Sequence, residues 1–528
     1  MKSLAPLLSI IALVLGLAGC PGGGGGGGST ADFAVSTTAA DFGVVGNAYT
    51  STLATTGGTA PFTWTLFGGV LPAGLSLNAG TGVVSGTPTA VENPTAVFTV
   101  TDSTGKSVIG SVLFAVHPRT DRASVTGSGT AGSGASSTPS MYSDGSLVAF
   151  VSQSTNFVAG VSGSQIYVHN RQTNQIEVVS RDSDASVINE GGGASSDPSM
   201  SGDGRLVAFV SLSSNLVPSV SGQQIYVRDR QTGQTTVISK SSASTIGDGT
   251  SQAPAISADG RYVAFASAST NLVAGVSGTQ IYVHDRQTDQ TTLISKDNTV
   301  TPVPGNGVSA TPAISANGQF VAFASLSTNL GAAGGNQQIY IHDRLTGANG
   351  TTSLISKDSV ATAGNGNSST SSISGDGRFV AFMSLASNLV ASVSGQQIYL
   401  HDRNTGVNGT NSLVSHDNSG SPVQGNGASS VPSISSDGHV IAFTSLATNL
   451  LSPAPAVAGQ QVYSHDRSVG VTGATSLVSK DNSVTPVEGN SASDQPSTNS
   501  DGGFVAFSSQ ATNFIAGSGS HIYVRAMP

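Results

Sequence analysis

The chain has 528 residues, of which 37% are hydrophobic and only 9% are charged, and 67 are glycine. This length and hydrophobic content can supply the cores of two or more domains, which excludes a chain that is disordered throughout. Twenty basic and 29 acidic residues give a net charge of −9 without any block of lysine or arginine, which excludes nucleic acid as a partner.

The N-terminus has the features of an export signal. Lys2 precedes an apolar run, Leu7 to Leu17, that is too short to span a bilayer, and Leu17-Ala-Gly-Cys20 follows. This ending resembles the lipobox of bacterial lipoproteins, in which a diacylglyceryl group joins the cysteine thiol and a signal peptidase cuts before the cysteine. The resemblance implies lipid attachment at Cys20 and a stable membrane anchor, at about 0.8 kcal/mol per buried CH₂. The alternative is an ordinary signal peptide with a cysteine near its cleavage site by chance.

Cys20 is the only cysteine of the chain, which excludes internal disulfides and thiolate metal sites. Pro21 follows it rather than aspartate, and the sorting rule of enteric bacteria then favours the outer membrane. Gly22 to Gly28 is an unbroken glycine run. We therefore predict a signal peptide at residues 1–20 and a flexible tether at residues 21–30, with an r.m.s. span of about 17 Å.

Residues 31–117 contain short runs of alternating apolar and polar residues, separated by glycine, proline and asparagine. Examples are Thr59-Ala-Pro-Phe-Thr-Trp-Thr-Leu66 and Thr81-Gly-Val-Val-Ser-Gly-Thr-Pro88. The pattern predicts a β-sandwich. These motifs resemble the immunoglobulin-like, cadherin-like module of bacterial surface proteins. Some cadherin-like relatives bind calcium, but Asp102 stands almost alone, so we expect a spacer without metal. We expect Trp64 in the core rather than in a ligand site.

The rest of the chain repeats one phrase: Ser-x-Asp-Gly-x-x-Val-Ala-Phe, Gln-Ile-Tyr-Val-His-Asp-Arg-x-Thr-Gly and Leu-Ile-Ser-Lys-Asp. Seven copies are marked by a phenylalanine at 150, 209, 265, 323, 382, 443 and 507, and by a tyrosine at 167, 226, 282, 340, 399, 463 and 523. Each copy has four short segments rich in β-branched and aromatic residues. Four strands repeated seven times predict a seven-bladed β-propeller. These motifs resemble TolB-type, WD-repeat-like repeats, and the resemblance covers about residues 119–528.

The two ends of the repeat region complement each other. The last copy stops at Pro528 without a fourth strand, whereas residues 117–126 match the end of a third segment and the fourth segment after it. We predict that residues 119–126, through Ala123 to Thr126, supply the missing strand and close the ring. Closure removes an exposed sheet edge.

Antiparallel order places the first-to-second and third-to-fourth turns on one side of the propeller and the longer loops on the other. Because variable loops on a rigid scaffold carry function, we expect recognition on the long-loop side. Within that side, we expect recognition first at the longest second-to-third loop, Ser445 to Gly459, which contains Pro453 and Pro455.

Three recurring residue types invite a catalytic or metal-binding interpretation. The Asp-Gly pairs fit hairpin turns, and the loop asparagines fit bonds to local backbone. Histidines at the same place in five copies would be spread around the ring, so we expect them near solvent at strand ends rather than around one metal. Three glutamates, Glu177, Glu190 and Glu488, form no recognisable acid pair. We predict no catalytic residues, no metal and no cofactor.

The first hypothesis is an envelope lipoprotein, not an enzyme, whose long-loop face binds a protein or glycan. The rival is a carbohydrate-active lyase or hydrolase, which two or more carboxylates or histidines in the central channel would favour. A third possibility is structural display with the sandwich as a stalk. The sequence leaves the ligand, the membrane leaflet and any role for calcium open.

Overall fold

A computed structural model describes residues 32–184, 191–331, 335–452, 459–483, 485–515 and 519–527. The regular structure of these residues consists of β-strands alone, which confirms the all-β prediction. None of them lies in a helix that is long and apolar enough to cross a lipid bilayer. Cys20, the glycine run and residues 453–458 of the longest loop lie outside the described residues.

The N-terminal part is a β-sandwich, as expected. Two three-stranded sheets, β3-β7-β6 and β5-β8-β9, are accompanied by the pairs β1-β4 and β2-β10. The strands are β1 Ala34–Val35, β2 Gly43–Val44, β3 Tyr49–Thr52, β4 Thr55–Thr56, β5 Thr63–Gly68, β6 Leu75–Leu77, β7 Val83–Gly86, β8 Thr95–Thr101, β9 Ser107–Leu113 and β10 Val116–His117. Strand β8 buries Ala96, Phe98 and Val100 at alternate positions, and Trp64 lies edge-on to Phe98 with ring centroids 6.3 Å apart. Trp64 is therefore a core residue, as predicted.

The repeats form seven four-stranded antiparallel sheets within the described residues, numbered here in chain order. Sheet 1 contains β12 Ser136–Met141, β13 Leu147–Ser152, β14 Gln165–Asn170 and β15 Gln175–Val178; sheet 2 contains β16 Ser195–Met200, β17 Leu206–Ser211, β18 Gln224–Asp229 and β19 Gln234–Val237; sheet 3 contains β20 Ser251–Ile256, β21 Tyr262–Ser267, β22 Gln280–Asp285 and β23 Gln290–Leu293; sheet 4 contains β24 Ser309–Ile314, β25 Phe320–Ser325, β26 Gln338–Asp343 and β27 Thr351–Leu354. Sheet 5 contains β28 Ser368–Ile373, β29 Phe379–Ser384, β30 Gln397–Asp402 and β31 Thr410–Leu413; sheet 6 contains β32 Ser429–Ile434, β33 Val440–Ser445, β34 Gln461–Asp466 and β35 Ala474–Leu477; sheet 7 contains β36 Ser493–Thr498, β37 Phe504–Ser509, β38 His521–Ala526 and β11 Thr120–Arg122.

Each sheet is buried on both faces because it packs between two neighbouring sheets. The two central strands are almost entirely buried, as β17 and β18 illustrate. The marker residues of the repeat pair across these strands: Phe265 lies opposite Tyr282, with stacked rings whose centroids are 5.8 Å apart. Such aromatic pairs fill the space between sheets, which explains why both residues recur in every copy.

The sheets follow each other around a closed ring. The first strand of every sheet contacts the first strand of the next, and β36 of sheet 7 contacts β12 of sheet 1. Backbone hydrogen bonds link the turns that follow these strands: Gly202 N donates to Ala258 O at 2.8 Å, and Ala258 N donates to Ala316 O at 2.9 Å. The series closes where Ser500 N donates to Ser143 O at 3.1 Å. The arrangement is that of a β-propeller.

A segment from before the first repeat completes the last sheet. Strand β11 pairs antiparallel with β38, and Arg122 lies opposite Tyr523. The strand lies three residues earlier than the Ala123 to Thr126 segment that the sequence pattern predicts for it. Ala123 N still donates to Ile522 O at 2.8 Å, so the segment continues along the edge of β38 after the strand itself ends.

Candidate functional site

The propeller has two faces with different connections. The turns between first and second strands are tight: Gly260 has φ +70°, and Asp259 Oδ1 accepts a hydrogen bond from Arg261 N at 3.0 Å. These turns and those between third and fourth strands define the short-turn face, and the opposite side is the long-loop face. The Asp-Gly pairs are turn residues, as predicted, since their carboxylates bond to local backbone.

The charged residues of the short-turn face are paired with each other. Arg261 Nε and Nη2 donate to the two carboxylate oxygens of Asp285, at 2.9 and 2.7 Å. This fork lowers the pKa of Asp285 to about 2. Arg286 Nη1 donates to Gly260 O at 2.7 Å. The repeated Asp-Arg motif therefore links the third strand to the turn before the second strand.

The immunoglobulin-like domain contacts this short-turn face where sheets 7 and 1 meet. The Phe42 ring lies 5.2 Å from the Phe504 ring and 4.8 Å below the Arg171 guanidinium. Gln172 Nε2 donates to Ala40 O, and Asn47 Nδ2 donates to Met527 O at 3.4 Å. The described contacts between the two domains all lie on the short-turn face, so the long-loop face faces away from the sandwich.

A buried charge cluster lies at this domain junction. Arg171 is 1% exposed and donates through Nη1 to Gly145 O at 2.7 Å. Burial opposes ionisation of Asp121, but His117 at 2.8 Å and Arg171 at 3.8 Å hold the pKa of that carboxyl below its usual value. Burial likewise lowers the pKa of Arg171. Because both charges are desolvated, removing either partner would leave an uncompensated charge at the junction.

On the long-loop face, one asparagine per sheet ties two loops together. Asn329 Oδ1 accepts from Asn306 N at 3.0 Å, and its Nδ2 donates to Pro304 O at 3.0 Å. The same pair of bonds recurs at Asn156, Asn271, Asn388, Asn449 and Asn513. Asn215 accepts from Gly192 N at 2.8 Å. The asparagines bond to backbone, as predicted, and fix the start of each second-to-third loop.

The abundant serines form a buried hydrogen-bond chain at the same level. Ser309 Oγ and Ser325 Oγ are 2.9 Å apart, and Ser325 Oγ donates to Ser327 Oγ at 2.9 Å. Ser327 Oγ donates onward to Gly307 O at 3.1 Å. Their role is therefore structural, since each hydroxyl satisfies another buried polar group.

The repeated histidines are buried, and the prediction that they lie near solvent is wrong. Those at positions 169, 284, 342, 401 and 465 are 1 to 3% exposed. His342 Nδ1 is 2.9 Å from Thr352 Oγ1, which donates its only proton to Lys296 O of the preceding sheet at 2.7 Å. Sequence alone could not predict this burial, because it depends on the neighbouring sheet and not on the strand itself. We call the contact of the histidine, the hydroxyl of Thr352 and the carbonyl of Lys296 the sheet-to-sheet clamp.

The first strands line the central channel and carry backbone strain. In each of the seven, the third residue has a positive φ although none is glycine: Thr138 (46°), Asp197 (51°), Ala253 (51°), Thr311 (48°), Thr370 (41°), Val431 (50°) and Gln495 (54°). The pairing to the second strand shifts register at the same place, which is a β-bulge. Side chains rarely adopt this conformation, and β-branched ones least. Strain of this kind clusters at functional sites.

The channel differs at its two ends. At the short-turn end a cavity of about 200 Å³ is lined by the last residues of the first strands, among them Ile256, Ile314 and Ile373. On the long-loop face, the residue after the second strand is an exposed leucine in four sheets: Leu212 (53%), Leu326 (44%), Leu385 (48%) and Leu446 (51%). Leu326 N donates to Val308 O at 2.9 Å, which places this leucine beside the start of an inner strand.

Two carboxylates interrupt the neutral wall of the first strands. Asp197 in sheet 2 is exposed, yet desolvation by its surroundings raises the pKa of its carboxyl. Asp494 lies in sheet 7, and its Oδ1 accepts from Gln495 N at 2.7 Å. Sequence reasoning did not select either residue, although both break the serine-rich pattern of the other first strands. In the described residues, no three metal-ligating side chains come close enough together to hold an ion.

Glu177 and Glu488 lie in different parts of the propeller and form no acid pair with each other. Glu177 pairs with Arg230 at 2.6 Å on the short-turn side, and Glu488 is buried in the loop before sheet 7. Glu190 lies outside the described residues.

The N-terminal segment matches a known family. The family described as "Putative Ig domain" matches residues 31–117, which confirms the immunoglobulin-like prediction for that segment. No curated protein matches the chain.

Solved structures resemble the chain through its propeller. The β-propeller domain of the trilobed protease from Pyrococcus furiosus is 12% identical with a TM-score of 0.45, covering 75% of this chain and 94% of that one. A TolB structure from Agrobacterium tumefaciens is 16% identical with a TM-score of 0.37, covering 69% and 98%. Acylaminoacyl peptidase from Pyrococcus horikoshii is 11% identical with a TM-score of 0.43, covering 74% and 51%.

Two of these three similar proteins are peptidases, so the prediction that the chain is not an enzyme is wrong. That prediction rested on the lack of a recognisable catalytic set, whereas similar propellers occur in proteins named as peptidases. The chain spans about half of the acylaminoacyl peptidase, 51% of its length.

The buried histidines predict a loss of stability in mild acid. Burial lowers the pKa of His284, His342 and His465 to about 4, whereas in the unfolded chain a histidine has a pKa of about 6.5. The unfolded state therefore binds more protons, and the stability present above about pH 6.5 is lost as the pH falls toward 4. We expect a lower urea midpoint at pH 5.0 than at pH 7.5.

Substitution identifies the histidines as the cause. His342→Gln should reduce the difference between the two midpoints, because one titrating group is removed. His439→Gln is the matched control, since the His439 side chain is 58% exposed. Equal pH dependence in wild type and His342→Gln would contradict this account.

Proposed function

We propose that the chain is a lipid-anchored cell-envelope protein in which a closed seven-bladed propeller binds a protein partner through its long-loop face. The arc of exposed leucines on that face supports this proposal most directly. Leu326, Leu385 and Leu446 are exposed at equivalent positions of three consecutive sheets, and we call this set the leucine arc.

The leucine arc is suited to a partner with apolar side chains. Exposed leucine is costly in water, and burial against a partner returns about 25 cal/mol per Å² of apolar surface. The buried serine and asparagine networks hold the arc rigidly, which lowers the entropic cost of binding. Among the described residues of this face no large aromatic side chain is exposed, which favours a protein over a glycan that stacks on aromatic rings.

The domain arrangement suits presentation of this face. The sandwich occupies the short-turn face at Phe42, so a partner on the leucine arc would not compete with it. Attachment at Cys20 before residues 21–30 would tether the sandwich side to the membrane. The proposed location is the envelope, at the outer membrane.

Replacement of the leucine arc should abolish partner capture. The triple variant Leu326→Ser, Leu385→Ser, Leu446→Ser removes the apolar stretch from an exposed position, so the fold should persist. A photo-crosslinking residue at position 448 in intact cells is expected to yield a discrete crosslinked species in wild type and at least tenfold less in the variant. Mass spectrometry then identifies the partner.

Leu345→Ser provides the matched control, because Leu345 is 72% exposed on the short-turn face. It should leave the crosslinked species unchanged. Equal capture by the arc variant and wild type would refute binding through the leucine arc.

The anchor proposal has its own test. Cys20→Ser removes the acceptor thiol, so the protein should move from the membrane fraction to the soluble envelope fraction, with loss of metabolic labelling by a palmitate analogue. Ser29→Cys introduced together with Cys20→Ser controls for the mere presence of a thiol and should not restore labelling. A Cys20→Ser protein that stays in the membrane fraction would contradict lipid anchoring at this residue.

A second candidate, catalysis in the central channel, is favoured by Asp197. Its raised pKa is a feature of catalytic acids, and Asp494 provides a second carboxylate on the inner wall. Carbohydrate lysis or hydrolysis is the chemistry that two carboxylates would serve.

The channel candidate is tested with envelope polysaccharides. Asp197→Asn and Asp494→Asn keep side-chain size, so an enzyme should lose at least 100-fold of its release of reducing ends, whereas Asp144→Asn in a turn of the short-turn face should not. Absence of turnover by the wild-type protein would eliminate this candidate.

A further inference from the structure

A cavity of about 470 Å³ lies between sheets 5 and 6, apart from the central channel. Its wall includes Leu413 on β31, His465 on β34 and His416 in the loop that joins the two sheets. The volume is within the range of small-molecule sites, about 300–1,000 Å³.

Three departures from the repeat coincide at this joint. His416 occupies the position of Lys240, Lys296, Lys357 and Lys480, and the imidazole is shorter than a lysine side chain. Thr472 occupies the position of two asparagines, Asn349 and Asn408, whose amides bridge to the preceding loop at Val300 O (3.1 Å) and Ser359 O (3.2 Å). Gly420 stands in the place of Val300, and a Cβ there would meet open space. The first two changes remove material or a bridge from this gap, whereas the third lies where the equivalent Val300 is 96% exposed.

Hydrogen bonds fix the tautomers of the two histidines. His416 Nδ1 lies 2.6 Å from Asp417 O, and a carbonyl only accepts, so Nδ1 carries a proton. Thr475 Oγ1 donates its proton to His416 O at 2.9 Å, so it accepts from His465 Nδ1 at 3.1 Å. In the neutral rings, Nε2 is therefore the hydrogen-bond acceptor in both.

Both acceptors are available to a ligand. The rings are 4% and 3% exposed, their centroids are 4.7 Å apart, and both line the cavity. Neither Nε2 has a hydrogen-bond partner among the residues that the structure describes. A hydrogen-bond donor on a ligand in the cavity would therefore find an acceptor on each ring that no protein group occupies. Burial keeps His465 neutral at pH 7 by lowering its pKa to about 4.

The remaining wall combines apolar and polar side chains. Val390, Val393, Leu413 and Pro422 provide apolar surface beside the histidine pair, and Ser412, Thr472 and Arg467 provide polar groups. We propose that this cavity binds a small neutral molecule with an apolar body and a hydroxyl group that donates to His416 and His465. The site is separate from the leucine arc and from the channel, so a test of this proposal does not depend on the proposed function.

The test uses 2-naphthol, a fluorescent molecule with a flat apolar body and one hydroxyl donor, and the full mature chain at pH 7.5. We expect saturable binding of one molecule per chain. 2-Methoxynaphthalene has the same body without the donor and should bind at least tenfold more weakly.

His416→Lys restores the residue of four other joints, so it should fold normally and fill the cavity, with at least tenfold weaker 2-naphthol binding. Thr472→Asn restores the bridging amide and should weaken binding independently, which keeps the test valid if one variant is unstable. The matched control is Lys296→His, which places the histidine in a joint that retains Asn349 and Val300 and should not change the stoichiometry. Absence of saturable binding, equal affinity for both naphthalenes, or unchanged affinity in both restored variants would overturn the proposal.

Discussion

The whole ring depends on the sheet-to-sheet clamp, in which a buried outer-strand hydroxyl joins its own sheet to the preceding one. Thr291 Oγ1 donates to Lys240 O, and His284 Nδ1 lies 2.9 Å from the same hydroxyl. Where asparagine replaces threonine, Asn411 Nδ2 donates to Lys357 O at 2.6 Å and its Oδ1 faces His401. The joint of sheets 6 and 7 keeps the pattern, since Thr120 donates to Lys480 O at 2.8 Å, whereas Ile176 takes this place in sheet 1 and has no hydroxyl. At six joints of the ring a sheet thus satisfies a buried polar group of its neighbour.

This dependence assigns most of the recurrent residues to structure. Asparagines close loops, serines satisfy one another, arginines hold turns and histidines support the clamp. A residue that recurs in every sheet is therefore explained by the ring, and information about a ligand lies in the places where one sheet differs from the others. The leucine arc, the channel carboxylates and the cavity beside His416 are three such places, and each occupies a different part of the propeller.

The sequence could predict the four-strand repeat and the aromatic markers because they are local, periodic and bury the same face in every copy. The sequence misplaced the histidines because their burial depends on a sheet that is distant in the chain. His342, for example, is bonded to Thr352, whose hydroxyl donates to Lys296 O of the preceding sheet. The sequence could not predict the bulges, since positive φ at Thr311 or Val431 contradicts the preference of β-branched residues. His416 was detectable in principle as the one histidine at a position where the other repeats have lysine or arginine, but the cavity also involves Thr472 of the next sheet.

Asymmetry also enters at the domain junction. Among the described residues, Arg171 of sheet 1 lies over a ring from outside the propeller, Phe42 at 4.8 Å, and also over Phe504, whereas Arg344, Arg403 and Arg467 lie over Tyr262, Phe320 and Phe379 within it. The sandwich therefore uses a contact that the repeat already provides and extends it by one residue. Because Asp121 belongs to the closing strand and pairs with Arg171 and His117, docking of the sandwich and closure of the ring share the same buried charges. Loosening one of these contacts would therefore loosen the other.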